Sequence, residues 1–147
     1  MTAASATAAP ITNAATAPIF PITIAMPDLA PGERIIAAIM SGCGTRCEIS
    51  ILLPGSTRGN WKKCMDWAAS VGGELFDRVE GALLNATMNE EFEPDWYWTR
   101  EQHAGNSGFA WIQGFGGGSQ DWDDKSDGYR ARAIRRLSIP LFINSEG

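Results

Sequence analysis

The residues best suited to chemistry lie between Gly116 and Tyr129, a stretch of small polar, acidic and aromatic side chains. An aromatic side chain among adaptable polar groups offers contact area at low entropic cost, which is typical of binding surfaces. We therefore predict an exposed Trp122 within a ligand-binding surface; the alternative is that Trp122 packs into a sheet and its neighbours are plain turns. The candidate ligand-binding residues are Ser119, Asp121, Trp122, Asp123, Asp124, Asp127 and Tyr129.

The same four aspartates raise the question of a calcium site. The sequence from Asp123 superficially resembles an EF-hand loop, but Lys125 at its third position and Ile134 at its twelfth lack the required oxygen ligands. An irregular calcium site built from the aspartates remains an alternative to a solvated turn that faces the arginines of the next strand. We expect no bound metal or other cofactor, and a single His103 disfavours zinc.

Other nucleophiles and bases are sparse. His103 lies in a polar loop without a nearby serine or cysteine nucleophile motif, so we predict a solvent-exposed turn residue. The chain contains no phosphate-binding or dinucleotide-binding motif, and no enzymatic activity is expected. Cys43 and Cys47 could form a small loop disulfide, although reduced thiols are favoured for a chain made in a cytoplasm.

A run of arginines near the end of the chain must find acidic partners. Arg130, Arg132, Arg135 and Arg136 follow one another closely, so they cannot all face solvent in the same way. Arginines that are buried or at an interface need carboxylates, and the acidic runs 90–95 and 121–127 are the candidates. We expect at least one bidentate arginine–carboxylate pair.

Length and charge limit the classes of function. A chain of 147 residues is long enough for one domain, and a net charge of −5 argues against a nucleic-acid binder. No apolar run approaches the roughly 18 residues of a membrane span. The N-terminus lacks a basic segment followed by an apolar one, so no secretory signal peptide is expected.

The elements that must position these residues follow from periodicity and turn signals. Residues 1–31 are rich in Ala, Thr and Pro and predict an extended arm that docks onto a partner. Strands over 33–40 and 47–53 are expected to form a hairpin. Two helices are predicted next, over 61–71 with Asn60 as N-cap and Gly72-Gly73 as the end, and over 77–88.

Residues 96–137 alternate as strands and are expected to form a small antiparallel sheet, with a strand around 120–124 and an apolar tail over 138–143. Strands and helices that are separated along the chain predict the α+β class. The inward positions of the helices are expected to be Trp61, Cys64, Ala68, Val71, Val79, Leu83, Leu84 and Ala86, with Met65 beside them. Among the tryptophans, Trp61, Trp67, Trp98 and Trp111 are expected in the core.

Several short motifs between residues 33 and 137 occur together. They are Leu52-Leu53-Pro54-Gly55, Trp67 to Leu75, Glu91 to Thr99, Glu101-Gln102-His103, Ala110 to Phe115, Gly118-Ser119-Gln120, Lys125-Ser126 and, most specifically, Arg130 to Leu137. Together they resemble the phage and prophage branch of the domain of unknown function 1566, which includes the C-terminal domain of a collagen-like bacterial adhesin. The resemblance implies a C-type-lectin-like domain over residues 32–147, preceded by the arm. The catalytic cysteines of enzymatic relatives have no counterpart, since no cysteine follows Cys64.

The resemblance also implies a biological setting. It indicates a phage virion protein of the tail fibre or tail tip, made in the host cytoplasm, that attaches to its host through a receptor-binding lectin-like domain. The expected partners are other virion proteins, contacted by the arm, and a glycan or protein of the host surface. A homo-oligomer is expected, with a trimer favoured. The alternative is a structural connector or decoration protein of the virion that has no host ligand.

Overall fold

The computed structural model of the protein describes residues 22–40 and 44–143, with side chains at 24–40 and 44–141. Two helices and several small sheets give the α+β class that the sequence predicts. The strands are β1 (Ile22–Thr23), β2 (Arg34–Met40), β3 (Arg46–Leu52), β4 (Thr57–Gly59), β5 (Glu74–Leu75), β6 (Trp96–Gln102), β7 (Phe109–Gly114), β8 (Gln120–Asp124), β9 (Tyr129–Ala131), β10 (Ala133–Pro140) and β11 (Phe142–Ile143); the helices are α1 (Trp61–Ser70) and α2 (Arg78–Thr87), with a 3-10 turn at Asn89–Glu91.

The predicted hairpin is confirmed, since β2 and β3 pair in antiparallel orientation, but the described strands form three sheets rather than a hairpin and a single C-terminal sheet. Strands β2, β3, β10 and β5 form an antiparallel sheet in that order. Strands β4, β9, β6, β7 and β8 form a second, mixed sheet, because β9 runs parallel to β6. Strands β1 and β11 pair as a third. Residues 138–140, predicted as a tail, are therefore the end of a long strand that pairs with β3.

The chain changes sheets at Arg132, between β9 and β10. The guanidinium of Arg132 is buried and donates to the carbonyl oxygens of Glu91 at 2.7 Å and Leu53 at 2.9 Å. Leu53 in turn donates its N–H to the carbonyl of Ala133 at 2.9 Å. These bonds anchor the crossing segment to the end of β3 and to the 3-10 turn. The prediction of one continuous antiparallel sheet over 96–137 is thus wrong, since a strand pattern does not reveal which partner each strand takes.

Helix α1 has the predicted ends. The side chain of Asn60 accepts the N–H of Lys63 at 2.8 Å, which satisfies a donor of the first turn. At the other end Gly72, with φ of +85°, donates to Ala69, and Gly73 donates to Ala68, the pattern of a Schellman motif. Cys64 and Ala68 are buried as predicted, whereas Val71 is exposed because it is the C-cap residue.

Helix α2 buries a different face from the predicted one. Its inner residues are Glu80, Gly81 and Leu84, while Val79 is 63% exposed and Ala86 is also exposed. The predicted inward positions of Val79 and Ala86 are therefore wrong. Gly81 explains part of the difference between the predicted and the observed inner face of α2. A Cβ at this position would meet the Phe76 ring and the Gln113 side chain, both at 3.1 Å. A side chain at this position would require these neighbours to move by a few tenths of an ångström.

Among the described residues the core has three parts, and tryptophans contribute to it unequally. One cluster under α1 contains Trp98, which is fully buried, with Trp61 and Trp67 packed partly buried at its margin. A second cluster lies under α2 and is largely aromatic, with the Phe92 and Phe115 rings stacked at 3.9 Å. Trp98 is thus confirmed in the core. The predicted core position of Trp111 is wrong, because this residue is half-buried on the face of β7 that faces Arg78 and lies outside all three clusters.

The third cluster lies on the outer face of the β2-β3-β10 sheet, and part of the predicted arm packs there. Ile24 packs beside Cys47, Ile49 and Ile51, which are almost completely buried. Arg135 also donates to the carbonyl oxygen of Asp28 at 3.3 Å. Residues 22–31, predicted to belong to the arm, thus contact the domain itself, and residues 1–21 lie outside the described part of the chain.

The arginine run has the predicted kind of partner. Arg136 binds the Glu80 carboxylate through two nitrogens, at 2.9 and 2.6 Å, and Arg135 binds Glu33 in the same way at 3.0 and 2.8 Å. Arg130 pairs with Asp95 at 2.9 Å. The bidentate pair is confirmed, although Glu80 and Glu33 lie outside both acidic runs that were proposed to supply it. In the described residues, the 121–127 run pairs with no arginine.

Two further expectations concern cysteines and membranes. Cys47 is buried with a free thiol, but the proposed pairing with Cys43 lies outside the described residues. Burial raises the pKa of the Cys64 thiol to about 11. Across the described residues, none of the helices has the length and apolar character needed to cross a bilayer.

Candidate functional site

The predicted binding residues are divided between the two faces of β8. The strand itself, Gln120–Asp124, is where the sequence places it. Its register pairs Trp122 with Trp111, and Asp121 with Ile112. Because side chains alternate along a strand, Trp122 and Asp124 share the α2 side with Gln120, whereas Asp121 and Asp123 share the opposite side. The seven predicted residues therefore do not form one surface.

On the side opposite α2, Tyr129 and Asp123 form a local support for the sheet. The Tyr129 hydroxyl donates to the Asp123 carboxylate, and this bond lowers the pKa of the Asp123 carboxyl. Burial and the same carboxylate raise the pKa of Tyr129. The Tyr129 ring also packs edge-on against the buried Trp98, with centroids 5.0 Å apart. Tyr129 thus belongs structurally to the core margin, and its hydroxyl is already occupied.

The aspartates of β8 and the turn after it act as local hydrogen-bond acceptors. Asp121 accepts the N–H of Trp122 at 2.8 Å, and Asp123 accepts the N–H of Asp124 at 2.7 Å. Asp124 accepts both the N–H and the hydroxyl of Ser126. Within the described residues no group of three or more His, Cys, Asp or Glu side chains is arranged to hold a metal ion. The proximity of Asp123 raises the pKa of the Asp127 carboxyl.

Ser119 lies apart from these residues, in a small cleft of about 280 Å³ at the end of β7. The cleft is lined by Trp96, Asp95 and the glycines of the turn that follows β7. The Gly114 backbone is packed against the Trp96 ring, since a Cβ there would meet ring carbons at 3.2 Å. Ser119 is thus separated from Trp122 by Gln120 and Asp121 along the edge of the sheet.

The residues that the structure does bring together with Trp122 are aromatic and cationic. We call Arg78, His103, Trp111 and Trp122 the aromatic corner. Trp122 is 44% exposed, which confirms its predicted exposure, and its ring meets Trp111 edge-on with centroids 5.0 Å apart. His103 lies 4.7 Å from Trp122 and 5.6 Å from Trp111 between ring centroids. His103 is therefore half-buried against two indoles rather than solvated, although it does lie in the predicted turn.

Arg78 is fixed over this group of rings. Its guanidinium carbon lies 3.5 Å from the centroid of the Trp111 ring, a cation–π contact. Its Nε donates to the side-chain oxygen of Gln120 at 3.1 Å. The Gln120 amide donates both to the Arg78 carbonyl and to the side-chain oxygen of the buried Gln113, each at 2.8 Å. A chain of bonded amides thus runs from the core to the arginine.

Beside the aromatic corner lies a cleft of about 520 Å³ between α2 and the edge of the sheet. Val79, Ala82 and Leu83 give it an apolar wall, while Arg78, Glu101 and Gln120 provide its polar groups. The three apolar residues recur at the spacing of one helix face. The sequence assigned Val79 and Leu83 to the core and did not single out Ala82, whereas in the structure all three residues line this outward cleft.

No protein-family model matches the chain, and no match was found among curated proteins.

Proposed function

We propose that this chain is a virion protein of a phage tail fibre or tail tip that binds a host-surface ligand through the aromatic corner. The exposed Trp122 is the observation that carries the proposal. An indole with 44% of its surface exposed, held by Trp111 and His103 beside an apolar cleft, offers a rigid contact area. A few such anchors commonly dominate the affinity of an interface.

The wider identification as a non-enzymatic, C-type-lectin-like domain rests on the motifs between residues 33 and 137. The topology supports it in one respect. Strand β10, near the end of the chain, pairs with β3 of the first hairpin, so both ends of the domain meet in one sheet. Strands β7 and β8 of the second sheet carry Trp111 and Trp122 of the aromatic corner.

The substitution Trp122→Ala tests the proposal directly. We expect adsorption of the parent particle to its host to fall at least about tenfold, since truncation of an anchor residue commonly costs 2 kcal/mol or more of binding free energy. The melting temperature of the protein should change little, because the side chain is largely at the surface. Adsorption kinetics and thermal unfolding, measured on the same variant, provide both readouts.

Two control variants make the result specific. Val71→Ala removes an apolar side chain of similar exposure, 43%, at the far end of α1, and should leave adsorption unchanged. Trp98→Ala removes a fully buried indole and should cost about 3–5 kcal/mol of folding free energy. If Trp122→Ala adsorbed normally, or lost stability as Trp98→Ala does, the aromatic corner would not be the host-binding site.

A second candidate function, a structural connector without a host ligand, is favoured by one observation. Strand β2 lies at the edge of its sheet, has no charged residue after Arg34, and exposes Ile39 by 55% and Met40 by 48%. Such an edge can accept a strand from another chain. Under this alternative Ile39→Lys would block incorporation into particles, while Trp122→Ala would leave adsorption unchanged.

A further inference from the structure

Arg78 differs from seven other described arginines, whose guanidinium groups lie within 4 Å of a carboxylate oxygen. In the part of the chain that the structure describes, no carboxylate oxygen lies within 4 Å of the guanidinium nitrogens of Arg78, and its two terminal nitrogens have no hydrogen-bond acceptor; only its backbone N–H binds a carboxylate, that of Glu101. The arginines that do lie within 4 Å of a carboxylate are Arg34, Arg58, Arg100, Arg130, Arg132, Arg135 and Arg136.

The unpaired guanidinium is nevertheless held in place. Stacking on Trp111 fixes its plane, and the bond from its Nε to Gln120 fixes its rotation. The Gln120 side chain is itself held in place, since its amide donates to the Arg78 carbonyl and to the side-chain oxygen of Gln113. An arginine that is fixed in this way loses little entropy when its two free nitrogens bind a planar anion.

We propose that Arg78 binds a single carboxylate of the ligand, while an adjacent apolar group of that ligand enters the cleft formed by Val79, Ala82 and Leu83. This inference rests on the proposed binding function of the aromatic corner and specifies the chemistry of the ligand. A guanidinium matches a carboxylate with two parallel hydrogen bonds. Glu101, the carboxylate that lines the cleft, is engaged by the N–H of Arg78 at 2.7 Å in the first turn of α2, where a negative charge is favoured.

The surrounding charges restrict the ligand to one carboxylate. Glu101 lines the cleft itself, and Asp124 lies on the same face of β8 as Trp122. They would repel a polyanion such as a sulfated polysaccharide, whereas a single carboxylate gains the short-range bonds of Arg78. A solvent-accessible ion pair is partly screened, so binding of such a ligand is expected to weaken modestly as salt rises, and less than binding of a polyanion would.

The apolar wall indicates a protein segment rather than an acidic sugar. Val79, Ala82 and Leu83 offer no hydrogen-bonding group to the hydroxyls of a saccharide, but they suit a bulky aliphatic side chain. Because Arg78 is positively charged, the ligand residue beside this aliphatic side chain is expected to be acidic. The occupant is thus an exposed segment of a host-surface protein in which an apolar and an acidic residue are neighbours.

The test uses the full chain with three probes: a synthetic hexapeptide with a central Leu-Glu pair, its Leu-Gln counterpart, and methyl glucuronide. Binding is followed by the NMR shifts of the Trp111 and Trp122 indole N–H signals up to millimolar probe concentrations. We expect the Leu-Glu peptide to bind at least about tenfold tighter than the Leu-Gln peptide, as a hydrogen-bonded charge requires. The glucuronide should bind more weakly than the Leu-Glu peptide.

Arg78→Gln should abolish the preference for the Leu-Glu peptide, whereas Arg100→Gln, which removes an arginine near Glu74 and Asp77, should retain it. The proposal is overturned if the preference survives Arg78→Gln, if Arg100→Gln removes it, if neither peptide shifts the indole signals, or if the glucuronide binds tighter.

Failure of this inference can be distinguished from failure of the proposed function. If Trp122→Ala loses adsorption but the protein shows no preference for a carboxylate, the proposed function stands and only the ligand chemistry is wrong. Normal adsorption in Trp122→Ala with an Arg78-dependent preference would overturn the proposed function alone.

Discussion

Glu80 shows how a carboxylate comes to lie on the buried face of a helix. Its Oε1 accepts the N–H of Asp77 at 2.8 Å, which completes a capping box at the start of α2. The same carboxylate binds Arg136 through two nitrogens and accepts the hydroxyl of Ser50 at 2.8 Å. Burial raises the pKa of Glu80, but these bonds outweigh burial and the net pKa is lowered. One residue thus joins α2 to both β3 and β10.

Substitution of Glu80 is therefore expected to be costly. Glu80→Gln leaves the Arg136 guanidinium without its buried partner, and breaking a buried pair in this way costs about 3 kcal/mol of folding free energy. Chemical denaturation of the two proteins at neutral pH measures the loss. Glu74→Gln, which removes the more exposed partner of Arg136, is the matched control and should cost much less. Equal losses in the two variants would contradict the role assigned to Glu80.

The lowered pKa of Glu80 also predicts a pH dependence. A carboxyl whose pKa is lower in the folded state than its ordinary value of 4.5 contributes stability above that value. The contribution is lost as the pH falls through the folded-state pKa, because protonation then breaks the pair with Arg136. The difference in unfolding free energy between the native protein and Glu80→Gln should therefore shrink below about pH 4.5. A difference that stayed constant down to pH 2 would show that ionisation of Glu80 is irrelevant.

At the scale of elements, the local signals in the sequence were sufficient for α1 and insufficient for α2. Asn60 and Gly72-Gly73 define the ends of α1 through backbone bonds that depend only on neighbouring residues. The face of α2, in contrast, is set by Gly81 and Glu80, whose contacts are with Phe76, Gln113 and Arg136. Periodicity alone favoured Val79 as an inner residue, because an aliphatic side chain is normally a better core residue than a carboxylate.

The observed inner face of α2 can be checked by substituting one outer and one inner residue of the helix. Val79→Ser changes a side chain that is 63% exposed, so the unfolding free energy should stay within about 0.5 kcal/mol of the native value. Leu84→Ala removes a fully buried side chain and should cost about 2–5 kcal/mol. Urea denaturation of both variants gives the comparison. The reverse order of losses would restore the helix face that the sequence suggested.

For the whole molecule, the sequence predicted the class and the strand segments but not the division into two main sheets. The long pairing of β10 with β3 joins segments that lie far apart in the chain, and nothing in their alternation specifies the partner. The aromatic corner escaped prediction for the same reason. Arg78 starts α2, His103 lies after β6, and Trp122 lies on β8; only the folded arrangement brings these side chains together.

The segment predicted as a docking arm, residues 1–31, also includes residues that complete the core of the domain. Ile24 packs on the outer face of the β2-β3-β10 sheet, beside Ile49 and Ile51. Asp28 accepts from Arg135, and the Ala30 N–H donates to Glu33, which itself binds Arg135. Residues from about 22 onward therefore close the third part of the core, so a truncation at residue 21 and one at residue 31 should behave differently.

Removal of residues 1–21 is expected to leave the melting temperature nearly unchanged, because the contacts of Ile24, Asp28 and Ala30 remain. Removal of residues 1–31 uncovers the apolar face around Ile49 and Ile51 and deletes these bonds. The loss of one partly buried isoleucine, of the cover over the apolar face and of hydrogen bonds should lower the unfolding free energy by about 2–4 kcal/mol. Under the proposed virion function, the shorter truncation should abolish incorporation into particles without unfolding the domain. If both truncated proteins melted at the native temperature, the packing of residues 24–31 would be incidental, and the boundary of the domain would lie at residue 31 after all.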